Sequence, residues 1–401
     1  MKKKISKASS SLIRLHPQTI KHLKRGHPWV TTDRFSLKFP KDQTFLKAQD
    51  NSGKLFCTLL HDPDHPKIKA RFWSQQTNAK ETFSKELENR LLQSFQKRKI
   101  LMDKRERENL YLSFGEADAL PGFNSLFLKE GLLIEIYAYV WENYLSDLKK
   151  ALKSAFIQIY PDINLKFLTF HRRNFKKKKQ NLSQKETPEL IRLKEFSLSY
   201  ELKLTENYDI GIYTDMASIR KNVEKYLLPQ KKLLNLYAYS GAYSLLALKN
   251  DMLVTSVDLS KKAQTMFERN LQLNPSLKGA HHQFETTSVE NFLKTNHENF
   301  DFIICDPPSF SSDGKKSSNV LKDYEWLLPK LWEKSSPDGR ILLFCNTHKV
   351  SRGKFKDFIK KLLKRHNSYH KIIKDYALGE DCPTLKNFEE GAYLKGILLG
   401  N

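Results

Sequence analysis

The sequence is poor in cysteine, and this shortage excludes two classes of protein. Four cysteines, Cys57, Cys305, Cys345 and Cys382, occur in 401 residues, and no two of them form a Cys-x-x-Cys pair. The spacing argues against a disulfide framework and against a zinc site, so we expect no metal. Cysteines this sparse agree with a reducing cytoplasm, which is where we expect the protein to act.

Long apolar segments and glycine-rich phosphate loops are also missing. No apolar run approaches the roughly 18 residues of a membrane-spanning helix, so we expect no membrane partner. The segment Met1–Lys4 is basic, but no apolar core follows it, which argues against a signal peptide. The chain contains no Gly-x-Gly-x-x-Gly motif, so a pyrophosphate cradle is not expected.

Acidic residues are outnumbered, and the resulting positive charge is unevenly distributed. The chain has 69 Lys and Arg against 45 Asp and Glu, a net charge of +24. Residues 1–200 hold +18 of this charge and residues 201–401 hold +6. A basic surface attracts polyanions and accelerates their capture, so the front half is predicted to bind nucleic acid. A general lysine bias of the proteome is the alternative explanation.

Three signatures in a fixed order between Leu233 and Pro308 predict a ligand site. An apolar strand runs into a turn at Ser240-Gly241, a second strand ends at Asp258, and a third ends at Asp306 before two prolines. Glycine at the turn lets a ligand approach the backbone. Ligands of open α/β sheets bind beyond the carboxyl ends of the strands, where Asp258 could accept hydrogen bonds from a ribose diol. Asp306 could hold a planar base.

The absence of a phosphate cradle narrows the ligand. A nucleoside without phosphates fits these residues better than a dinucleotide, and S-adenosylmethionine (SAM) is the obvious cofactor. Each signature also has a purely structural explanation: residues 235–244 could be a buried strand with its turn, and Asp258 could cap a helix. The occurrence of all three in register favours the ligand site.

The distribution of apolar residues predicts an α/β protein. Short strands around one helix, Pro17–Gly26, occupy the front and resemble a small β-barrel. A charged helix over residues 80–108 leads to strands and a second helix that form a small α+β unit. A polar linker, Gln180–Thr187, follows. From Phe196 strands alternate with helices to a last strand at residues 392–399, which predicts a doubly wound, Rossmann-like sheet.

Two basic clusters are candidate RNA contacts, because cations beside an aromatic ring suit an RNA backbone and an unstacked base. Trp29, which could instead fill the core, is surrounded by Lys21, Lys24, Arg25 and His27. The second cluster lies in the run His171–Lys179, whose charge is otherwise typical of solvated, flexible segments. Its candidate phosphate contacts are Arg172, Arg173, Lys176 and Lys177.

Several motifs follow one another along the chain: His27–Val30, Glu116–Gly122, Gly211–Asp215, Asn235–Gly241, Asp258, Asp306–Phe310 and Glu390–Gly396. In this order they resemble the bacterial rRNA large subunit methyltransferase I type. The resemblance implies a PUA-like RNA-binding domain over residues 9–76 and a linker helix with a central α+β domain over residues 80–187. A class I SAM-dependent methyltransferase domain over residues 195–401 would transfer methyl groups to a base of 23S rRNA.

The resemblance also implies roles for individual residues. Tyr213 and Asp215 would help close the cofactor pocket, Tyr239 would line it with Gly241, and Asp258 would bind the ribose hydroxyls. Members of the family commonly carry an acid near Ser288 that contacts the adenine amino group, so this sequence departs from the pattern there. The full set of cofactor candidates is Tyr213, Asp215, Asn235, Tyr239, Ser240, Gly241, Asp258, Ser288 and Asp306.

A second departure concerns the catalytic nucleophile. Members of the family that make 5-methylcytosine carry a nucleophilic Cys just after the strand that matches Ile341–Phe344. The sequence here reads Phe-Cys-Asn-Thr, so either Cys345 or Asn346 occupies that position. An Asn after this strand is similar to relatives that methylate guanine.

Two chemistries therefore remain open. At cytosine C5, a Cys345 thiolate would add to C6 while Asp306 holds the base edge, and His348 or Lys349 would supply the nearby cation. At guanine N7 or N2 no thiol is needed, and Asp306 with Asn346 would read the base edge. We favour C5 because the three-domain order matches that type and a Cys lies within one residue. In both cases the base must leave its stack.

A third alternative is a catalytically inactive RNA-binding factor for ribosome assembly, which the altered adenine contact motivates. The sequence leaves the oligomeric state open, with a homodimer as one option.

Overall fold

The structure, a computed structural model, describes residues 11–31, 39–40, 43–173, 180–181, 187–204, 209–308 and 320–401. The chain divides into two compact units. Unit 1 comprises residues 1–105, 110–187 and 381–388, and unit 2 comprises residues 106–109, 188–380 and 389–401. None of the helices in the described residues is both long enough and apolar enough for a membrane span.

The first sheet of unit 1 has five strands. They are β1 (Leu12–Arg14), β2 (Trp29–Thr31), β3 (Phe45–Gln49), β4 (Leu55–His61) and β5 (Ile68–Ser74), with helix α1 (Pro17–Lys24) between the first two. The order across the sheet is β1-β3-β4-β5-β2, and β1 is parallel to β3 while the other pairs are antiparallel. Strands and helix lie where the sequence predicts them. The assignment of this sheet to a PUA domain stays a prediction.

The second sheet of unit 1 packs against two helices. Its elements are α2 (Ala79–Asp103), β6 (Asn109–Phe114), β7 (Phe123–Leu128), β8 (Gly131–Ile136), α3 (Leu145–Ile159), β9 (Phe167–Arg172) and β10 (Gln180–Asn181). The strand order is β10-β9-β8-β7-β6. Helix α2 buries Phe83, Leu87, Leu91 and Phe95, which recur every four residues and so share one face.

Unit 2 begins with a hairpin and continues as alternating strands and helices. The elements are β11 (Leu190–Glu195), β12 (Leu198–Lys203), α4 (Ala217–Val223), β13 (Lys232–Leu236), α5 (Ala242–Lys249), β14 (Leu253–Asp258), α6 (Lys261–Gln272), β15 (His282–Thr286), α7 (Val289–Thr295), β16 (Phe300–Cys305), α8 (Val320–Glu333), β17 (Ser335–Asn346), α9 (Arg352–Arg365), β18 (Lys371–Tyr376) and β19 (Leu394–Gly400). Short turns of 3₁₀ helix include Thr214–Met216.

The large sheet of unit 2 determines where a ligand can bind. Its order is β15-β14-β13-β16-β17-β19-β18, in which β13 to β17 run parallel and β19 is antiparallel to both neighbours. Strand order reverses between β13 and β16, and ligands of such sheets bind beyond the carboxyl ends at this switch point. The predicted doubly wound, Rossmann-like α/β fold is therefore confirmed.

Candidate functional site

The loop between β13 and α5 has an unusual backbone. Tyr237, Tyr239 and Gly241 have positive φ angles of 59°, 49° and 76°. Side chains disfavour this left-handed region, and such residues cluster at functional sites. A Cβ on Gly241 would lie 2.1 Å from the Phe267 ring, so this glycine is required by packing as well as by backbone angle.

Asp258 joins this loop to the next one. Its Oδ2 accepts a hydrogen bond from the Tyr239 N–H (2.9 Å), and its Oδ1 accepts one from the Ser260 N–H (2.9 Å). The carboxylate is half-buried. Because each carboxylate oxygen has two lone pairs, both oxygens can accept a further hydrogen bond from a ligand hydroxyl.

Asp306 follows β16 on the other side of β13. The Asn346 Nδ2 donates to its Oδ1 at 2.8 Å. Burial, helped by the charge of Asp215, raises the pKa of the Asp306 carboxyl to about 7, although the Asn346 hydrogen bond acts in the opposite direction. Near neutral pH this carboxyl therefore populates both its protonated and its ionised form.

The strand register brings the two acids to one edge of the sheet. Leu236 of β13 lies opposite Val257 of β14 and Cys305 of β16. Asp258 and Asp306 are the next residues on their strands, so they flank the start of the loop after β13. Strands two apart in a sheet are about 10 Å apart, which is a distance that one nucleoside spans.

Tyrosines and a third acid complete this edge. The Tyr213 and Tyr239 rings lie 5.2 Å apart, and Tyr213 is 41% exposed. The Tyr393 O–H donates to the Asp215 Oδ2 at 2.5 Å. Ser288 lies just beyond β15 and caps α7, accepting a hydrogen bond from the Asn291 N–H. These groups give the site acids and aromatic faces.

Two of the predicted residues point elsewhere. Asn235 is buried within β13, and its Nδ2 donates to the Ser244 Oγ at 2.8 Å, which ties the strand to α5. Ser240 is also buried, and its carbonyl accepts a hydrogen bond from the Asn270 side chain. Their contribution to the cofactor pocket stays a prediction. Asn235 would act on a ligand indirectly, by fixing the loop between β13 and α5.

Cys345 lies in the apolar core of unit 2. Its side chain is 0% exposed and belongs to the cluster that contains Ile341, Leu343 and Tyr324. Burial raises the pKa of the Cys345 thiol, and the charge of Lys395 opposes that shift. Cys345 and Lys395 are direct partners across β17 and β19. Asn346, one residue on, is the member of this pair that touches Asp306.

Comparison with known proteins identifies the fold and its cofactor. A model of the S-adenosylmethionine-dependent methyltransferase family matches residues 127–399, which is more than half of the chain. The chain belongs to this methyltransferase family. It is an enzyme, and SAM is its cofactor.

Named relatives match over most of the chain. Ribosomal RNA large subunit methyltransferase I of Aliivibrio fischeri is 25% identical over 394 residues, covering 94% of this chain and 96% of the relative. YwbD of Bacillus subtilis, a candidate ribosomal RNA large subunit methyltransferase by name, is 32% identical over 213 residues. That match spans about half of each chain, 52% of this one and 54% of YwbD.

A solved structure agrees with the fold. SMU.776, a candidate methyltransferase complexed with SAH, superposes with a TM-score of 0.84 at 23% identity, covering 97% of this chain and 100% of that one. The candidate site residues are chemically compatible with a SAM ligand. The Asp258 carboxylate can accept hydrogen bonds from a ribose diol, the rings of Tyr213 and Tyr239 can face an apolar group, and the Asp306 carboxylate can face a cationic group of a ligand.

The first predicted RNA cluster lies in unit 1. Lys21, Lys24 and Arg25 are exposed at the end of α1, as phosphate contacts would need to be. Trp29 is half-buried: its Nε1–H donates to the Glu116 Oε1 at 2.9 Å. Its ring packs edge-on against Phe388 at 4.5 Å, and the His27 ring lies 6.2 Å away. Trp29 therefore has a structural role in this arrangement, and base stacking on it stays a prediction.

The second predicted RNA cluster is only partly described. Arg172 contacts Glu142 at 2.6 Å and lies over the Tyr139 ring. Arg173 contacts Glu135 at 2.5 Å. Both guanidinium groups therefore have acidic partners that a phosphate would have to displace. Lys176 and Lys177 lie outside the described residues.

Sequence reasoning missed two residues of the site. Lys395 is buried, and its ammonium donates to the carbonyls of Thr347 and Val350, which fixes the loop after β17. Tyr393 holds Asp215. Both residues lie in the motif Glu390–Gly396, so the resemblance contained the signal, but only the folded chain shows what the motif contacts. His348, a predicted cation, hydrogen-bonds the Glu390 carbonyl, and its role beside the thiol stays a prediction.

Proposed function

We propose that this methyltransferase modifies a base of large-subunit rRNA. The observation that carries the proposal is similarity over 94% of the chain to enzymes named ribosomal RNA large subunit methyltransferase I. The basic front half, with +18 of the net charge, agrees with a polyanionic substrate. SAM supplies a methyl group on a sulfonium sulfur. The residues of the chain would bind the cofactor, orient the target base and accept a proton from it.

The roles of the site residues follow from their contacts. Asp258 would accept the ribose hydroxyls while holding the loops after β13 and β14 in place. Tyr213 and Tyr239 would pack against the cofactor, and Asp215 would help close the pocket. Asp306 and Asn346, joined by a 2.8 Å hydrogen bond, would hold the edge of the target base. With a pKa of about 7, Asp306 could also accept a proton from that base.

The geometry favours a mechanism without a covalent intermediate. A nucleophilic Cys must be deprotonated and reachable, whereas the Cys345 thiol is 0% exposed and its pKa is raised by burial. Asn346, by contrast, contacts Asp306 directly. We therefore put methylation of guanine N2 or N7 first. At N7 an in-plane lone pair needs only alignment with the methyl donor. At N2 the amine must also lose a proton, which Asp306 could accept.

Cytosine C5 methylation is the second candidate, and one observation favours it. Lys395 lies opposite Cys345 in the sheet and opposes the rise in the pKa of the thiol. The end of β17 itself would have to move for the Cys345 Sγ to reach cytosine C6. The thiolate would then add to C6, and C5 would take the methyl group with release of S-adenosylhomocysteine. Loss of the C5 proton to a base or water would break the C6–S bond and restore the thiolate.

Mass spectrometry of nucleosides tests the proposal and separates the two chemistries. Large-subunit rRNA from a strain that lacks the gene is incubated with the enzyme and SAM, and the gained methylnucleoside is identified. Cys345→Ala should leave guanine methylation nearly unchanged, whereas it should abolish 5-methylcytosine formation. A native enzyme that leaves this rRNA unmodified would contradict the proposal.

Cofactor binding is measured separately by calorimetry. Asp258→Ala should weaken SAM binding at least about tenfold, because a bonded diol then loses its acceptor. Asp258→Asn keeps one acceptor oxygen and should weaken it less. The exposed Asp338→Ala serves as the control. Absence of binding at millimolar SAM would favour the inactive assembly factor.

A further inference from the structure

The positive charge of the C-terminal half is concentrated in one short segment. Residues 201–401 hold 30 Lys and Arg against 24 Asp and Glu. Residues 352–374 alone hold nine Lys or Arg and one acid, Asp357. The remainder of this half is therefore slightly acidic. The basic segment consists of α9, the loop after it and the beginning of β18.

The end of this segment forms a cleft. The cleft has a volume of about 660 Å³, and its lining includes Lys360, Lys364, Asn367, Ser368, His370 and Lys371. The three lysines are exposed, and within the described part of the chain no carboxylate lies at ion-pair distance from any of them. Burial lowers the pKa of His370, so the charge of the cleft comes from the lysines.

An exposed aromatic residue, Tyr369, lies in the chain between Ser368 and His370, two residues that line the cleft. Tyr369 is 52% exposed, and its ring stacks on His370 with centroids 4.3 Å apart. The stacked histidine supports one face of the tyrosine. Basic grooves that carry exposed aromatic rings are the arrangement with which proteins bind single-stranded nucleic acid, where phosphates contact the cations and a base stacks on a ring.

The cleft lies away from the catalytic edge of the sheet. Lys371 pairs with Gly400 at one end of β19, whereas Asn346 pairs with Leu394 at the other end. Six residues of strand separate these ends, a distance of about 20 Å. An RNA segment bound in the cleft would therefore be a different segment from the one that carries the target base.

We propose that the cleft between the end of α9 and the start of β18 is a second RNA-binding surface of this enzyme. Lys360, Lys364 and Lys371 contact the phosphates of a single-stranded segment, and Tyr369 stacks on one of its bases. The proposal deepens the proposed function and rests on it for the choice of RNA as partner. Single strands fit better than duplexes because only an unpaired base can reach the tyrosine.

Fluorescence anisotropy with a labelled 20-nucleotide oligouridine tests the surface in the full-length chain. The triple variant Lys360→Gln/Lys364→Gln/Lys371→Gln should lower the slope of log K against log salt by about 2, since each lost contact contributes about 0.7 on a single strand. Tyr369→Ala should weaken binding about fivefold or more through lost stacking.

A matched variant controls for net charge. Lys225→Gln/Lys278→Gln/Lys322→Gln removes the same charge from exposed positions elsewhere in unit 2 and should leave the slope nearly unchanged. Equal losses in the two triple variants would overturn the proposal, because net charge alone would then explain them. The cleft triple variant is also tested with vesicles of anionic phospholipid. If it loses the vesicle binding of the native chain but still binds oligouridine normally, the proposal is overturned in favour of a membrane surface.

SAM calorimetry separates failure of this proposal from failure of the proposed function. The cleft variants should bind SAM with native affinity, because their positions are about 20 Å from the site. If the native chain leaves rRNA unmethylated and the cleft variants still lose oligouridine, the function is wrong and the surface stands. If the native chain methylates rRNA and the cleft variants bind oligouridine as tightly as the native chain, the proposed function stands and the second surface is wrong.

Discussion

Buried acids in unit 1 and acids at the sheet edge in unit 2 are stabilised in opposite ways. In unit 1, Arg71 contacts both Asp62 (2.8 Å) and Glu116 (2.5 Å). Arg98 forms a two-pronged contact with Asp118 at 2.8 and 2.6 Å. All of these side chains are buried, so each acid of this network contacts a guanidinium group inside the fold.

At the edge of the unit 2 sheet, acids are held by neutral donors. Asp258 accepts two backbone N–H groups, and Asp306 accepts the Asn346 amide. In the residues that the structure describes, neither acid has a Lys or Arg within ion-pair distance. An acid paired with arginine already contacts a cation inside the fold, whereas an acid held only by neutral donors has no cation that a ligand must displace.

Removing the arginine that contacts Asp62 and Glu116 in unit 1 should have the largest effect on stability. Arg71→Met leaves Asp62 and Glu116 buried without a cation, which costs about 3–5 kcal/mol of unfolding free energy. Urea unfolding followed by tryptophan fluorescence measures this loss. Arg352→Met, which removes an exposed pair with Asp375, should cost less than about 1 kcal/mol. Similar losses in both variants would remove the contrast between the two regions.

The next largest effect should come from removing the charge of Asp306. It concerns the rate of methyl transfer. Asp306→Asn keeps the size of the side chain but replaces an acceptor oxygen with an amide, so methyl transfer should fall about 100-fold, or about 2.7 kcal/mol. Radiolabelled methyl transfer to rRNA measures the change, with Asp338→Asn as the exposed control. Activity within a few-fold of native would show that Asp306 only supports the loop.

The sheet itself could be predicted from sequence because its central strands are rich in apolar residues. Strands β13 and β16 are buried at all but one position each, and β14 is an apolar-rich strand with buried and half-buried positions. The strands that were missed, β15 and β18, are the two edges of the sheet. Edge strands face solvent on one side, so His282–Thr286 and Lys371–Tyr376 mix polar with apolar residues and give weak patterns.

The candidate site could be predicted only in part, for a related reason. Residues at strand ends, such as Asp258 and Asp306, follow directly from the strand pattern. The assignment between Cys345 and Asn346 does not, because a shift of one residue reverses which face of a strand a side chain occupies. Sequence spacing placed both within reach of the base, whereas the fold buries the thiol and joins the amide to Asp306.

The pH dependence of activity tests the role of burial at Asp306. If the carboxylate is the active form, the rate should rise about tenfold per pH unit below pH 7 and level off above the Asp306 pKa of about 7. Asp215→Asn removes the neighbouring negative charge, so the pKa should fall and the inflection should move to lower pH. An inflection that stays in place would exclude coupling between these acids.

The raised pKa of Asp306 predicts that Asp306→Asn stabilises the fold above neutral pH, whereas Arg71→Met in unit 1 destabilises it. The carboxyl of Asp306 has a higher pKa folded, about 7, than its ordinary value of 3.8, so the folded state binds its proton more tightly. Stability is therefore lost as the pH rises from about 4 to 7. Asp306→Asn should be more stable than native at pH 8 by about 1–3 kcal/mol and no more stable at pH 4. Urea midpoints at the two pH values measure the difference.

The smallest expected effect concerns Tyr393, whose hydroxyl holds an acid without matching its charge. Tyr393→Phe removes the donor to the Asp215 Oδ2 but keeps the ring, so Asp215 loses its orientation and the KM for SAM should rise about 3- to 10-fold. The kcat should change little, because the pair Asp306–Asn346 is untouched. Tyr226→Phe, a half-buried tyrosine of the same unit, is the control. A fall in kcat as large as the rise in KM would instead mean that Tyr393 contacts the target base, and the neutral donors of this edge would then act on the substrate as well as on the acids.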